Sequence, residues 1–205
     1  ASDVYKRQAL LSLAREIARS LNIKREPENL RRFLEDVFNT VASEFELCKR
    51  GFQARAAIYG EAFQAIFTVI AGELFPDLRL VHGCEIEEAC LTGIGKADFV
   101  AVDDEDRILA VIEAKGSADH IICEGRTIRL PRPGLVRTDT TKKAISNAAQ
   151  VKYGISMDMS FIIVTSHKPA PGSNSYCMLK LVEGRLVDMV VDVTDFGELK
   201  QMADL

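Results

Sequence analysis

The residue types best suited to chemistry are Asp98, Glu113 and Lys115. Asp98 sits at the start of an apolar run, Ala97 to Val102, and Glu113-Ala114-Lys115 closes a second, Ile108 to Lys115. The acidic stretch Asp103-Asp104-Glu105-Asp106 separates them, so the two runs read as a hairpin of strands. A two-residue turn at Glu105-Asp106 sets Asp98 opposite Glu113, Val100 opposite Val111 and Val102 opposite Leu109. On the other face Phe99 meets Ile112 and Ala101 meets Ala110.

A hairpin apolar on both faces belongs inside a covered sheet, which leaves two carboxylates and an ammonium at one end of an apolar site. Directly opposed like charges weaken a strand pair unless something neutralises them. A divalent cation does so: Mg²⁺ takes one or two carboxylates, keeps several waters, and leaves room for a phosphate oxygen and an attacking water. Lys115, two residues from Glu113 and on the same face, is placed to orient or deprotonate that water. The competing structural reading is a salt bridge at the rim of the sheet.

The triplet alone carries little weight. With 30 acids and 11 lysines in 205 residues, about 1.6 acid-x-lysine matches arise by chance, and two occur, Glu113-Ala114-Lys115 and Glu198-Leu199-Lys200. The second falls in a polar C-terminal helix, whereas the first ends a buried strand.

The elements that must position this hairpin are legible in the periodicity. Leu10, Leu13 and Ile17, then Leu30, Phe33, Leu34, Val37 and Val41, fall at helical spacing, with Pro27 separating two helices. A third helix covers about Gln53 to Phe75, where Phe63, Phe67, Ile70 and Leu74 form a buried stripe and Glu61, Gln64 and Thr68 share another face. Leu78 to Ile86 reads as a further strand, and a long polar loop with Pro131, Pro133 and Gly134 follows the hairpin. Asp139 or Thr140 caps a helix running to about Tyr153, and Ser160 to Ser166 suits a buried strand. A helix near Ser175 to Val182, a strand from Leu186 to Val193 and a short final helix complete the chain.

Composition narrows the classes. A net charge of −4 excludes a protein that holds nucleic acid by being basic throughout. Ala62 to Phe75 is too short, and too interrupted by Gln64, Thr68 and Glu73, to span a bilayer, so no membrane role is expected. The five cysteines, Cys48, Cys84, Cys90, Cys123 and Cys177, form no C-x-x-C pair and read as free thiols of a reducing cytoplasm. His82, His120 and His167 share no metal-ligand spacing. Asp3 to Gln8 look like the in-frame translation of a transposon adapter, so residues 1–8 are set aside as an assembly scar of an environmental sequence. The natural N-terminus is then expected to lie outside the chain.

Gly95-Lys96-Ala97-Asp98, followed after strand-turn-strand by Glu113-Ala114-Lys115, resembles the signature of the PD-(D/E)xK nucleases, over about Glu61 to Ser166. Ala97 stands where the family's name has proline. The resemblance implies a restriction-endonuclease-like αβα sandwich with a central mixed sheet and an N-terminal helical arm. The arm would cover 9–50 and the nuclease-like domain 51–205, as one globular unit. It implies a metal site at Asp98, Glu113 and the Ala114 backbone carbonyl, with Lys115 assisting the water and Mg²⁺, or Mn²⁺ in its place, as cofactor. The family commonly adds a glutamate from an upstream helix; Glu61 is the best-placed candidate, ahead of Glu73 and Glu85. Gln150 resembles the glutamine that many members bring to the edge of the site.

Arg126, Arg129, Arg132, Arg137, Lys142 and Lys143, against the single acid Asp139, read as a DNA-contacting loop and helix start. A solvated charge cluster is the plainer reading. The run Arg132 to Lys143 also resembles stretches in type II restriction endonucleases. The expected activity is therefore Mg²⁺-dependent DNA cleavage of restriction type. A homodimer and a cognate DNA methyltransferase are the expected partners. A repair, recombination or mobile-element nuclease, or a catalytically silent DNA-binding module, are the alternatives.

Overall fold

The two apolar runs flanking the acidic turn do pair, and they form the centre of the molecule. The computed structural model describes residues 2–204. Its main sheet contains β1 (Arg79–Cys84), β2 (Ala97–Val102), β3 (Ile108–Lys115), β6 (Ser160–Thr165) and β7 (Met189–Asp192), side by side in the order β1-β2-β3-β6-β7. The first three strands are antiparallel, and β3, β6 and β7 are parallel, so the sheet is mixed.

Alternation along the central strands divides the core in two. Phe99, Ala101, Ala110, Ile112, Ile162 and Val164 face α1 (Ser2–Leu21), α2 (Leu30–Glu44), α3 (Phe52–Leu74) and α6 (Phe196–Ala203). Val100, Val111, Phe161 and Ile163 face α4 (Thr138–Gly154) and α5 (Asn174–Val182). Strands buried on both faces need apolar residues at successive positions, as these have. The result is an αβα sandwich with the helical arm packed into one of its layers.

α3 is apolar nearly all round because it lies between α1 and the sheet; Tyr59, Phe63, Ile66, Phe67 and Ile70 are buried along it. Gly116, just after β3, fixes its height. A Cβ there would lie 2.2 Å from the Phe63 ring, so only glycine lets the helix sit this close to the strand end. Gly134 (φ +56°) seats the loop before α4 in the same way, its missing Cβ leaving room for Thr165 Oγ1 and the Lys115 carbonyl.

Four expectations are corrected. The hairpin register holds for Phe99–Ile112, Val100–Val111 and Ala101–Ala110, but Val102 pairs with Ile108, leaving Leu109 as a bulge. The cause is the turn: Asp103 Oδ1 accepts the Glu105 and Arg107 N–H groups, both at 2.9 Å, and Asp106 is left-handed, giving a longer loop than the two-residue turn. The polar loop after β3 contains a second hairpin, β4 (His120–Cys123) and β5 (Arg126–Arg129), around the left-handed pair Glu124-Gly125. α4 starts at Thr138, with Arg137 at its cap and no capping side chain, so neither Asp139 nor Thr140 caps it.

The fourth correction is a disulfide. Cys48, in the 3₁₀ turn after α2, is bonded to Cys123 at the end of β4, while Cys84, Cys90 and Cys177 are free. Seventy-five residues separate the pair, and only the packing of β4 beside α2 brings them together. Residues 3–8, set aside in the sequence, lie in the first turns of α1, where Lys6 reaches Glu61. No helix among the described residues is long and apolar enough to cross a membrane.

Closing a loop of this length restricts the unfolded chain by roughly 4 kcal/mol in the chain-entropy description. Denaturant melts with and without reductant should therefore differ by up to about that amount. The β4–β5 hairpin should become the preferred site of limited proteolysis once the bond is reduced; identical melts and cleavage patterns would contradict this.

Candidate active site

The ladder between β2 and β3 ends at Phe99–Ile112. The next N–H of β3 that faces β2 belongs to Ala114, and it is donated to Asp98 Oδ2 at 2.8 Å instead of to a backbone carbonyl. A strand residue's N–H and C=O point to the same side, so the Ala114 carbonyl is aimed at the same opening. The strands part where their carboxylates begin.

Glu113 is 3% exposed. Its Oε1 accepts two hydrogen bonds, from Lys115 Nζ and from Asn147 Nδ2 of α4, each at 2.9 Å. Oε2 makes no hydrogen bond among the described residues. Asp98 Oδ1 accepts Gln64 Nε2 of α3 at 3.1 Å, and Gln64 Oε1 in turn lies 2.7 Å from His82 Nε2 on β1. Each carboxylate is thus held by a carboxamide from a different helical layer, α3 for Asp98 and α4 for Glu113.

The electrostatics follow from burial. Desolvation, aided by the neighbouring Glu113 charge, pushes the Asp98 carboxyl up to about 7, against the opposing pull of the Ala114 N–H and Lys115. Burial disfavours the Lys115 ammonium, but Glu113 and Asp98 outweigh it and hold its pKa above the usual lysine value. Lys115 is therefore a cation here, suited to hydrogen bonding and charge neutralisation rather than to taking a proton. Burial, with Arg7 and Lys96 nearby, lowers His82 to about 4, which keeps that ring neutral against Gln64.

The structure brings together Asp98, Glu113, Ala114 and Lys115. It adds Gln64, Asn147 and His82, which the sequence did not single out for the site. Glu61 lies one turn before Gln64, pairs with Lys6 at 3.2 Å, and lines an open cavity of about 350 Å³ with Gln64, His82 and Lys96. Glu73 is in the last turn of α3, and Glu85 Oε1 accepts the Gly93 N–H at 3.3 Å. Gln150 ties α4 to the segment before β2 through the Ala89 carbonyl at 3.0 Å, while Asn147, one turn earlier, reaches the site.

Arg126 and Arg129 are exposed on β5, and Lys142 and Lys143 are exposed on α4. The Arg137 guanidinium stacks on Phe52 at 4.8 Å. Arg132 and Arg137 border a cavity of about 470 Å³ with Arg55, Tyr59 and Gly116, adjacent to the end of β3.

Among the described residues no group of three or more His, Cys, Asp or Glu side chains is arranged to hold a metal ion. What the site offers is two carboxylates and a carbonyl, an all-oxygen set. Such a set fits Mg²⁺ or Mn²⁺, which complete their shells with water and substrate oxygens.

No family model matches the chain, and no curated protein matches it. Among solved structures it superposes on a restriction endonuclease PspGI–substrate DNA complex with a TM-score of 0.50. The match covers 96% of this chain and 81% of that one, at 13% identity. A likeness at that identity speaks for architecture alone: the fold is a restriction-endonuclease-like αβα sandwich around a mixed sheet.

A carboxyl whose folded pKa exceeds the unfolded value of about 3.9 retains a proton that the unfolded chain has lost. Its contribution to stability is therefore complete at low pH and is lost as the pH rises through about 7. In metal-free buffer the wild-type Tm should fall from pH 5 to pH 8 more steeply than that of Asp98→Asn. Parallel Tm profiles would show that Asp98 is not the strained group.

Proposed function

We propose that the chain is a metal-dependent deoxyribonuclease of the PD-(D/E)xK class, hydrolysing phosphodiester bonds in the manner of a type II restriction endonuclease. The observation that carries this reading is the convergence of Asp98, Glu113 and Lys115 where β2 and β3 part. The fold shared with an endonuclease complexed with its substrate DNA supports DNA as the substrate.

Asp98, Glu113 and the Ala114 carbonyl are the groups that would hold Mg²⁺, with Mn²⁺ as a substitute. When bound, the cation polarises a phosphate oxygen and lowers the pKa of a bound water. The chain's own residues prepare that chemistry. The Ala114 N–H and Gln64 fix both oxygens of Asp98, and Asn147 fixes Glu113 by Oε1, leaving Oε2 for the ligand. The Lys115 ammonium, 2.9 Å from Glu113, is placed to hydrogen-bond the attacking water and to offset charge growing on the phosphate. Palindromic cutting would require a homodimer, and a restriction role would require a methyltransferase to protect the host DNA.

Incubation of the protein with supercoiled plasmid and Mg²⁺ tests the reading. Discrete linear fragments are expected, abolished by a chelator. Asp98→Ala or Lys115→Ala should lose on the order of 10²–10³-fold in rate. Gln64→Ala and Asn147→Ala, which remove orienting groups, should lose roughly 10–100-fold. Full cleavage by Asp98→Ala or Lys115→Ala would sink the assignment, and structure-dependent nicking in place of discrete fragments would replace restriction with repair or recombination.

A further inference from the structure

Four residues beyond Lys115, the chain builds a second polar cluster that the nuclease site leaves unused. Asp119 holds two imidazoles with one carboxylate: Oδ1 lies 2.7 Å from His120 Nδ1, and Oδ2 lies 3.3 Å from His167 Nε2. His167 Nδ1 is anchored in turn to Ser166 Oγ at 2.8 Å. These rings border an open cavity of about 730 Å³ together with Arg129, Arg132 and Lys168. The cavity is at the same end of the sheet as Lys115, since His167 follows Thr165, the parallel partner of Lys115.

Two features mark it as an anion site. First, Arg129 and Arg132 have no carboxylate partner among the described residues, and Asp119 is the only acid on a wall that also carries Lys168, itself paired with Glu198. A cavity of net positive sign in a chain of net charge −4 is a local feature, not a reflection of the whole surface. Second, His120 and Arg129 are direct cross-strand partners in the β4–β5 hairpin, so the imidazole that Asp119 fixes and the Arg129 guanidinium line the cavity side by side.

We propose that this cavity binds a phosphate group, held by Arg129 and Arg132. Burial lowers the pKa of His167 although Asp119 opposes the shift. The charged groups around the site are Asp119, Arg129 across the hairpin, Lys168 after β6 with its partner Glu198, and Arg31 and Glu35 of α2, with Asp192 of β7 paired to Arg31. The site is separate from the phosphate to be cleaved; its DNA arm rests on the proposed DNA substrate, and its free-phosphate arm does not. Its phosphate could be a backbone diester of bound DNA or a free phosphate ion, and the two are distinguished below.

Anisotropy of a labelled duplex of about 25 base pairs in metal-free buffer, over a salt series, tests it, with calorimetric titration of inorganic phosphate as a second arm. For a backbone diester, Arg129→Gln should weaken duplex binding several-fold and make the log K against log[salt] slope shallower by about one. Arg132→Gln should act in the same direction. For free phosphate, the titration should saturate with wild type and not with Arg129→Gln, with duplex binding unaffected. Both side chains are at least partly exposed, and matched melts confirm folding. Asp98→Ala, run in parallel, should show the same Arg129 dependence, so that loss of cleavage and loss of this site are read apart. Wild type binding neither ligand, or Arg129→Gln and Arg132→Gln both matching wild type with both ligands, would overturn the proposal.

Discussion

Two buried carboxylates brought together where β2 and β3 part are the interaction on which the rest of this structure turns. Asp98 and Glu113 sit where water is scarce, and neither the Ala114 N–H nor the Lys115 ammonium offsets the burial and the Glu113 charge that together drive the Asp98 carboxyl up to about 7. A protein gains nothing in stability from such a pair. A surface ion pair or an apolar substitution would serve the fold better, which agrees with the proposed cation-binding role.

The surrounding elements are arranged to keep that pair in place. Gly116 lets α3 approach the end of β3 over the Phe63 ring, and that height brings Gln64 within reach of Asp98. Gly134 lets the following loop cross the ends of β3 and β6, where Thr165 Oγ1 donates to the Lys115 carbonyl at 2.6 Å. From the opposite layer, Asn147 of α4 holds Glu113. The site is therefore supported from both faces of the sandwich, on strand ends and helices rather than on free loops.

Much of this could be read in the sequence because it depends on local pattern. The doubly apolar runs placed β2 and β3 in the middle of a covered sheet; the register from Phe99 to Ala101 was read from a turn at Glu105-Asp106, and it holds because the bulge at Leu109 offsets the longer turn. What escaped depends on contacts between distant segments. The β4–β5 hairpin has no apolar alternation on β5, whose four residues are all exposed, and its only local signal is the Glu124-Gly125 turn. Cys48 and Cys123 meet only once β4 packs beside α2. At the site, the polar face of Glu61 and Gln64 was read on the third helix and Gln150 on the later one, and the sequence favours the acid and the longer amide. The depth of each helix against the sheet instead selects Gln64 and Asn147.

The most direct measurement of the central claim is calorimetric titration of the protein with Mn²⁺ and Mg²⁺, comparing wild type with Glu113→Ala. Saturable binding at neutral pH that disappears in the variant is the expected result. Wild-type protein that binds neither ion, or a Glu113→Ala variant that binds as wild type does, would contradict the reading of Asp98 and Glu113 as a metal site.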